Sequence, residues 1–143
     1  MDRKQIIMSF SVPPSTEDLE VMAREVLDTV PEELVGFCED MNVVVEEFPD
    51  SVVEQELELE DPYELLVLYR SGAEISPGVT KKSTDEEDTM IVYRRALLDL
   101  WCETGDDLGA LLRQAIIEEI GQNFDFSEEE VEDMVGRHYQ GML

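Results

Sequence analysis

The stretch "DDLGALLRQAIIEEIGQNF", residues 106–124, constrains the fold most, because it is long, free of proline and apolar at helical spacing. At about 100° per residue, Leu108, Leu111, Leu112, Ala115, Ile116 and Ile120 form one broad stripe, so a helix here has to be buried along most of its length. The stripe changes character over its last turn and a half. Glu119 falls near its centre, Gln122 and Asn123 lie to either side of Glu119, and Glu118 sits at the edge. Such a helix either leaves the core there and meets water, or floors a pocket with its polar end.

The flanking sequence supplies further helices and a few short strands. "PPSTEDLEVMAREVLDTVP" opens with a capping box, Ser15 to Asp18, and carries Leu19, Met22, Ala23, Val26 and Val30 at helical spacing until Pro31 stops it. A shorter helical turn follows through Phe37. "MNVVVEEF" is β-branched and reads as a strand. "SVVEQELELE" suggests a short helix broken at Asp61 and Pro62, "LLVLYR" a second strand, "GVTKKSTDEEDT" a loop and "MIVYRR" a third strand. The chain then returns to helix in "LLDLWCETG", in the long segment, and in "SEEEVEDMVGRHYQ", whose N-cap is Ser127 with acidic residues in the first turn. Mixed strands and helices of this kind imply an α+β domain with a small mixed sheet packed by helices. Residues 1–143 are expected to form one domain, with 1–14 a flexible N-terminal segment.

At 143 residues the chain can bury roughly 68–70% of its unfolded surface, enough for a core without disulfides. Cys38 and Cys102 show no CxxC spacing and read as reduced core thiols, and the N-terminus makes a poor signal peptide, so the expected location is the cytoplasm. No stretch approaches a membrane span. Thirty-six acidic residues against ten basic ones give a formal net charge of −26, which repels nucleic-acid backbones and anionic membranes. That charge leaves a solvated acidic surface, a face for a basic partner, or a mimic of nucleic-acid charge. Tyr93 and Trp101, beside Leu97, Leu98 and Leu100, are core candidates, and His138 reads as an ordinary residue near a helix C-terminus.

Several blocks together carry a resemblance. "FPD" at residues 48–50, "DPYELLVLYR" at 61–70, "YRRALLDLW" at 93–101 and "EEIGQNFDFSEEE" at 118–130 occur in the order found in the small bacterial zincin-like metallopeptidases, sometimes described as minimal zincins, and the match runs from about Ser15 to Met134. A zincin helix reads H-E-x-x-H, two imidazoles one turn apart holding zinc and a glutamate acting as base. The resemblance puts Glu118 and Gln122 at the two histidine positions, Asn123 at the histidine that often follows, and Glu119 at the general base. It puts Asp125 at a glycine and Glu128 at an acidic third ligand.

What the resemblance implies is therefore a zincin-like fold without its zinc chemistry. Zinc sites favour nitrogen and sulfur donors, which are missing at these positions, and zinc is not expected. The favoured function is a protein that has lost zinc binding and catalysis and binds a basic or extended peptide or protein, with Asn123 and Asp125 beside the binding cleft. The alternative is a peptidase with an altered site in which Glu118, Gln122 and Glu128 hold Mg²⁺, Mn²⁺ or Ca²⁺ and Glu119 remains the base. Without a cation, Glu119 is expected either to be protonated or to find hydrogen bonds from Gln122, Asn123 or an arginine among Arg94, Arg95 and Arg113.

Overall fold

The computed structural model describes residues 13–71 and 88–141, with side chains described as far as residue 136 in the last helix. Its elements alternate as the sequence implies. Helix α1, Thr16–Asp28, starts at the Ser15 and Asp18 capping box and buries Leu19, Ala23, Val26 and Leu27. A 3₁₀ turn, Glu32–Leu34, leads into the short helix α2, Val35–Cys38. Strand β1 spans Asn42–Glu46, and helix α3 spans Ser51–Glu56 with the Asp50 side chain accepting from the Val53 amide at 2.9 Å. A second 3₁₀ turn, Pro62–Glu64, precedes strand β2, Val67–Arg70. Strand β3, Thr89–Tyr93, runs directly into helix α4, Arg94–Thr104. Helices α5, Leu108–Asn123, and α6, Glu128–Gly141, complete the chain.

The third strand is shorter than the pattern "MIVYRR" suggests, because Arg94 and Arg95 begin α4. Tyr93 is the last extended residue, and the arginines are held outside the sheet. Arg94 Nε donates to the Pro14 carbonyl at 2.8 Å and its Nη1 to Glu47 at 2.9 Å, while the Arg95 amide donates to the Glu47 carbonyl. Pro14 is fully buried and its carbonyl accepts from Arg94 of α4; the rest of the expected N-terminal segment, residues 1–12, lies outside the described residues. The loop expected around residues 78–89 falls mostly outside them as well.

The sheet has the order β1-β3-β2, with β1 parallel and β2 antiparallel to β3. Strand pleat then sorts its side chains. One face turns Val43, Val45, Val67, Tyr69, Met90 and Val92 toward the main core, where α1 and α5 pack. The other carries Val44, Leu68, Ile91 and Tyr93, and it is only partly covered, by Val53 of α3 and Ala96 of α4. Tyr93 is 1% exposed there, whereas Val44 is 40% exposed. Burial pushes the Tyr93 phenol well above its ordinary pKa, and the nearby Glu46 and Asp50 carboxylates push it the same way.

Helix α5 is the centre of the domain and touches α1, α4, α6 and β2. Its buried residues include the expected Leu108, Leu112, Ala115, Ile116 and Ile120, and also Ile117, which the single-stripe projection leaves out. Being packed from several sides, the helix is apolar over more of its circumference than a surface helix. Cys38 is buried, and burial raises its thiol pKa to about 11, which keeps it protonated at neutral pH. Cys102 is exposed, contrary to its expected place in the core, because it lies on the outer side of α4.

Close approach of α5 and α6 depends on Gly121. A Cβ at this position would sit 2.5 Å from Val131 Cγ2, and the branched valine has little room to turn aside. Gly121→Ala is expected to lower stability by up to about 2 kcal/mol, since overpacking costs about 1–3 kcal/mol against a helix-propensity gain of about 1 kcal/mol. Urea denaturation checks this. Adding Val131→Ala to Gly121→Ala should recover part of the loss, and additive losses would show that the two sites do not clash.

Candidate functional site

The polar end of α5 has two sides. Glu119 is half-buried and turned toward the sheet: its Oε2 accepts from the Tyr69 backbone amide of β2 at 3.0 Å and from Asn123 Nδ2 at 3.1 Å. Asn123 Nδ2 also donates to the Glu119 carbonyl at 2.8 Å, which fixes the amide over the last turn. The other side of the helix end faces α6. Glu118 and Gln122, one turn apart, line a groove of about 300 Å³ with Phe126, Glu128, Val131 and Glu132. Glu118 Oε2 accepts from Gln114 Nε2 at 3.0 Å.

Three of the four residues singled out for metal chemistry, Glu118, Gln122 and Glu128, therefore share one groove, and Glu119 points out of it toward β2. The first two meet because i and i+4 share a helix face. Glu128 joins them because the chain reverses tightly between α5 and α6. In that reversal Asp125 takes the left-handed conformation, φ +65°, and the Phe126 amide donates to the Gly121 carbonyl at 2.9 Å, as in a Schellman helix end. Ser127 then caps α6 through a reciprocal pair of hydrogen bonds with Glu130.

Asp125 stands where the resemblance puts a glycine, and its φ supplies the physical reason for that glycine. Asp125→Gly is expected to stabilise the protein by about 0.5–1 kcal/mol, because the left-handed penalty of about 1–2 kcal/mol exceeds the extra chain entropy of glycine, about 0.4–1 kcal/mol. Thermal denaturation reads the change; a loss of stability would mean that the Asp125 side chain supports the turn.

The hydrogen-bond donors to Glu119 differ from those expected. Asn123 is one, but Gln122 faces the opposite groove and no arginine among the described residues takes the role. Arg94 is held by Pro14 and Glu47, Arg95 lies over the Phe48 ring at 5.4 Å, and Arg113 lines a separate cavity with Asp106 and Asp107. The Tyr69 amide, which sequence patterning missed, is the second donor. Its side chain is also part of the surroundings: the ring lies 5.3 Å from Phe124, which stacks on Phe37 at 4.1 Å, and the hydroxyl donates to Asp88 at 2.8 Å. The side chain of His138 lies outside the described residues.

The donor set at the expected ligand positions consists of oxygen atoms, one of them from a neutral amide. Zinc in a zincin takes imidazole nitrogens, so these residues do not fit that metal, and such chemistry suits harder cations. No helix among the described residues is long and apolar enough to cross a membrane.

The blocks on which the family resemblance rests meet in space as well. The Phe48 ring packs edge-on against Tyr63 at 5.5 Å with Arg95 above it, Asp61 caps the 3₁₀ turn through the Tyr63 amide, and Tyr93 is buried with Leu68 and Ala96. Residues from "FPD", "DPYELLVLYR" and "YRRALLDLW" thus form one cluster holding the end of the sheet. In comparison with known proteins, no curated protein matches the chain. The model of the zincin-like metallopeptidase family matches residues 38–138, from the end of α2 into α6, which is well over half of the sequence. The chain belongs to the zincin-like metallopeptidase family.

Proposed function

We propose that this protein is a member of its metallopeptidase family that has lost zinc binding and catalysis, and that it uses the outer edge of β2 beside α5 to bind an extended, basic peptide or protein segment. The observation that carries this reading is the 3.0 Å hydrogen bond from the Tyr69 amide to Glu119. It sets the edge of β2 directly against the helix end where a zincin keeps its chemistry, so an extended chain laid along that edge would pass over Glu119. The net charge of −26 selects a cationic chain over an acidic one.

Loss of hydrolysis follows from the donor chemistry. Without imidazole ligands, nothing here lowers the pKa of a bound water as zinc does, and Glu119 is engaged by two N–H donors where a base would have to meet that water. The test is incubation with unstructured basic peptides, with and without added Zn²⁺ or Mn²⁺, followed by mass spectrometry and a binding titration. Binding without cleavage is the expected result. The grouping of Glu118, Gln122 and Glu128 around one groove favours a second reading, a peptidase using an oxygen-liganded cation. Chelator-sensitive cleavage abolished by Glu119→Gln would establish that reading instead.

A further inference from the structure

We infer that Glu119 acts as a gate on the β2 edge, occupying the hydrogen-bonding position that an incoming strand needs; the inference rests on the peptide-binding reading above. In an antiparallel ladder only alternate residues exchange hydrogen bonds with the neighbouring strand. The Tyr93 amide donates to the Leu66 carbonyl, and the register pairs Leu68 with Ile91 and Arg70 with Thr89, so these residues face inward. Val67 and Tyr69 direct their backbone groups outward, and among the described residues no strand lies beyond them.

An added strand would offer a carbonyl oxygen to each outward amide. At Tyr69 that place is held by Glu119 Oε2, itself fixed by Asn123. A charge placed against an edge is one of the ways proteins prevent unwanted strand pairing. Here the charge belongs to another element, α5, so it can be displaced by rotation of one side chain without unfolding β2. A peptide binding along β2 therefore has to exchange the carboxylate for its own carbonyl.

The gate makes a prediction opposite in sign to simple electrostatics. Removing a carboxylate should weaken attraction to a cationic peptide, yet Glu119→Ala is expected to bind a labelled alternating lysine–valine peptide about tenfold more tightly, because a hydrogen bond to a charged acceptor no longer has to be broken. Glu119→Gln, which keeps an acceptor and the side-chain volume, should fall between Glu119→Ala and the natural chain, and it guards against a folding defect in Glu119→Ala. Fluorescence anisotropy gives the affinities, and circular dichroism checks the fold.

Tighter binding by the variants, or binding by the variants alone, supports the gate. Equal or weaker binding by folded variants overturns the gate while leaving the peptide-binding reading standing. Absence of binding by all three proteins overturns both.

Discussion

The double variant Glu118→His and Gln122→His is expected to take up zinc, with the natural protein as the contrast. Positions 118 and 122 are one turn apart on α5 and line the same groove as Glu128, so two imidazoles there would meet a carboxylate from α6. That is a nitrogen, nitrogen and oxygen set of the kind catalytic zinc sites use. A change of the ligands themselves should alter affinity by more than the roughly 10–100-fold that their supporting hydrogen-bond partners command. At zinc concentrations about a hundredfold above its dissociation constant, the variant should gain about 2.7 kcal/mol in unfolding free energy. Chemical denaturation with and without zinc measures this. A folded double variant whose stability ignores zinc would show that these two positions are not the ligand pair of the fold.

Ile117→Ala should have the largest effect on stability of any change argued here, a loss of about 2–5 kcal/mol. Ile117 is 0% exposed and belongs to the main core cluster, on the helix that α1, α4, α6 and β2 all touch. A vacancy there cannot collapse easily, because rigid elements surround it on several sides. Against a total stability of about 5–15 kcal/mol for a typical domain, such a loss takes up much of the margin. Urea denaturation reads it directly. A loss below about 1 kcal/mol would mean that the neighbours close the gap, and that α5 is less tightly enclosed than its contacts imply.

Ile117 also shows what the sequence made legible and what it did not. Helical spacing correctly brought Leu112, Ile116 and Ile120 to the core, since one face of a helix can be found from the period alone. Ile117 lies off that face, and its burial depends on a second set of neighbours that periodicity does not describe. The caps at Ser15 and Ser127 were readable, because a cap is a local bargain between a side chain and an amide a few residues away; the Asp50 cap was not read.

The site divides in the same way. Glu118 and Gln122 could be placed on one helical face from their spacing, and Glu128 could be brought near only through the resemblance. Of the two partners of Glu119, Asn123 was expected but the Tyr69 amide could not be read, because Tyr69 lies 50 residues away and its amide is available only if β2 is the outer strand with the observed register. Strand order is a property of the assembled sheet. The third strand was overrun at Arg94 and Arg95 for a related reason: their side chains follow β-branched residues in sequence but are claimed by Pro14, Glu47 and Phe48 from elsewhere in the chain.

The central claim is a zincin-like fold whose helix end engages the sheet edge instead of a metal. The most direct test is elemental analysis by mass spectrometry of the natural protein, purified free of tags and chelators and dialysed against equal concentrations of zinc, manganese, magnesium and calcium. The account predicts zinc far below one ion per chain, unchanged by Glu118→Ala. Near-stoichiometric zinc that disappears with Glu118→Ala would contradict it.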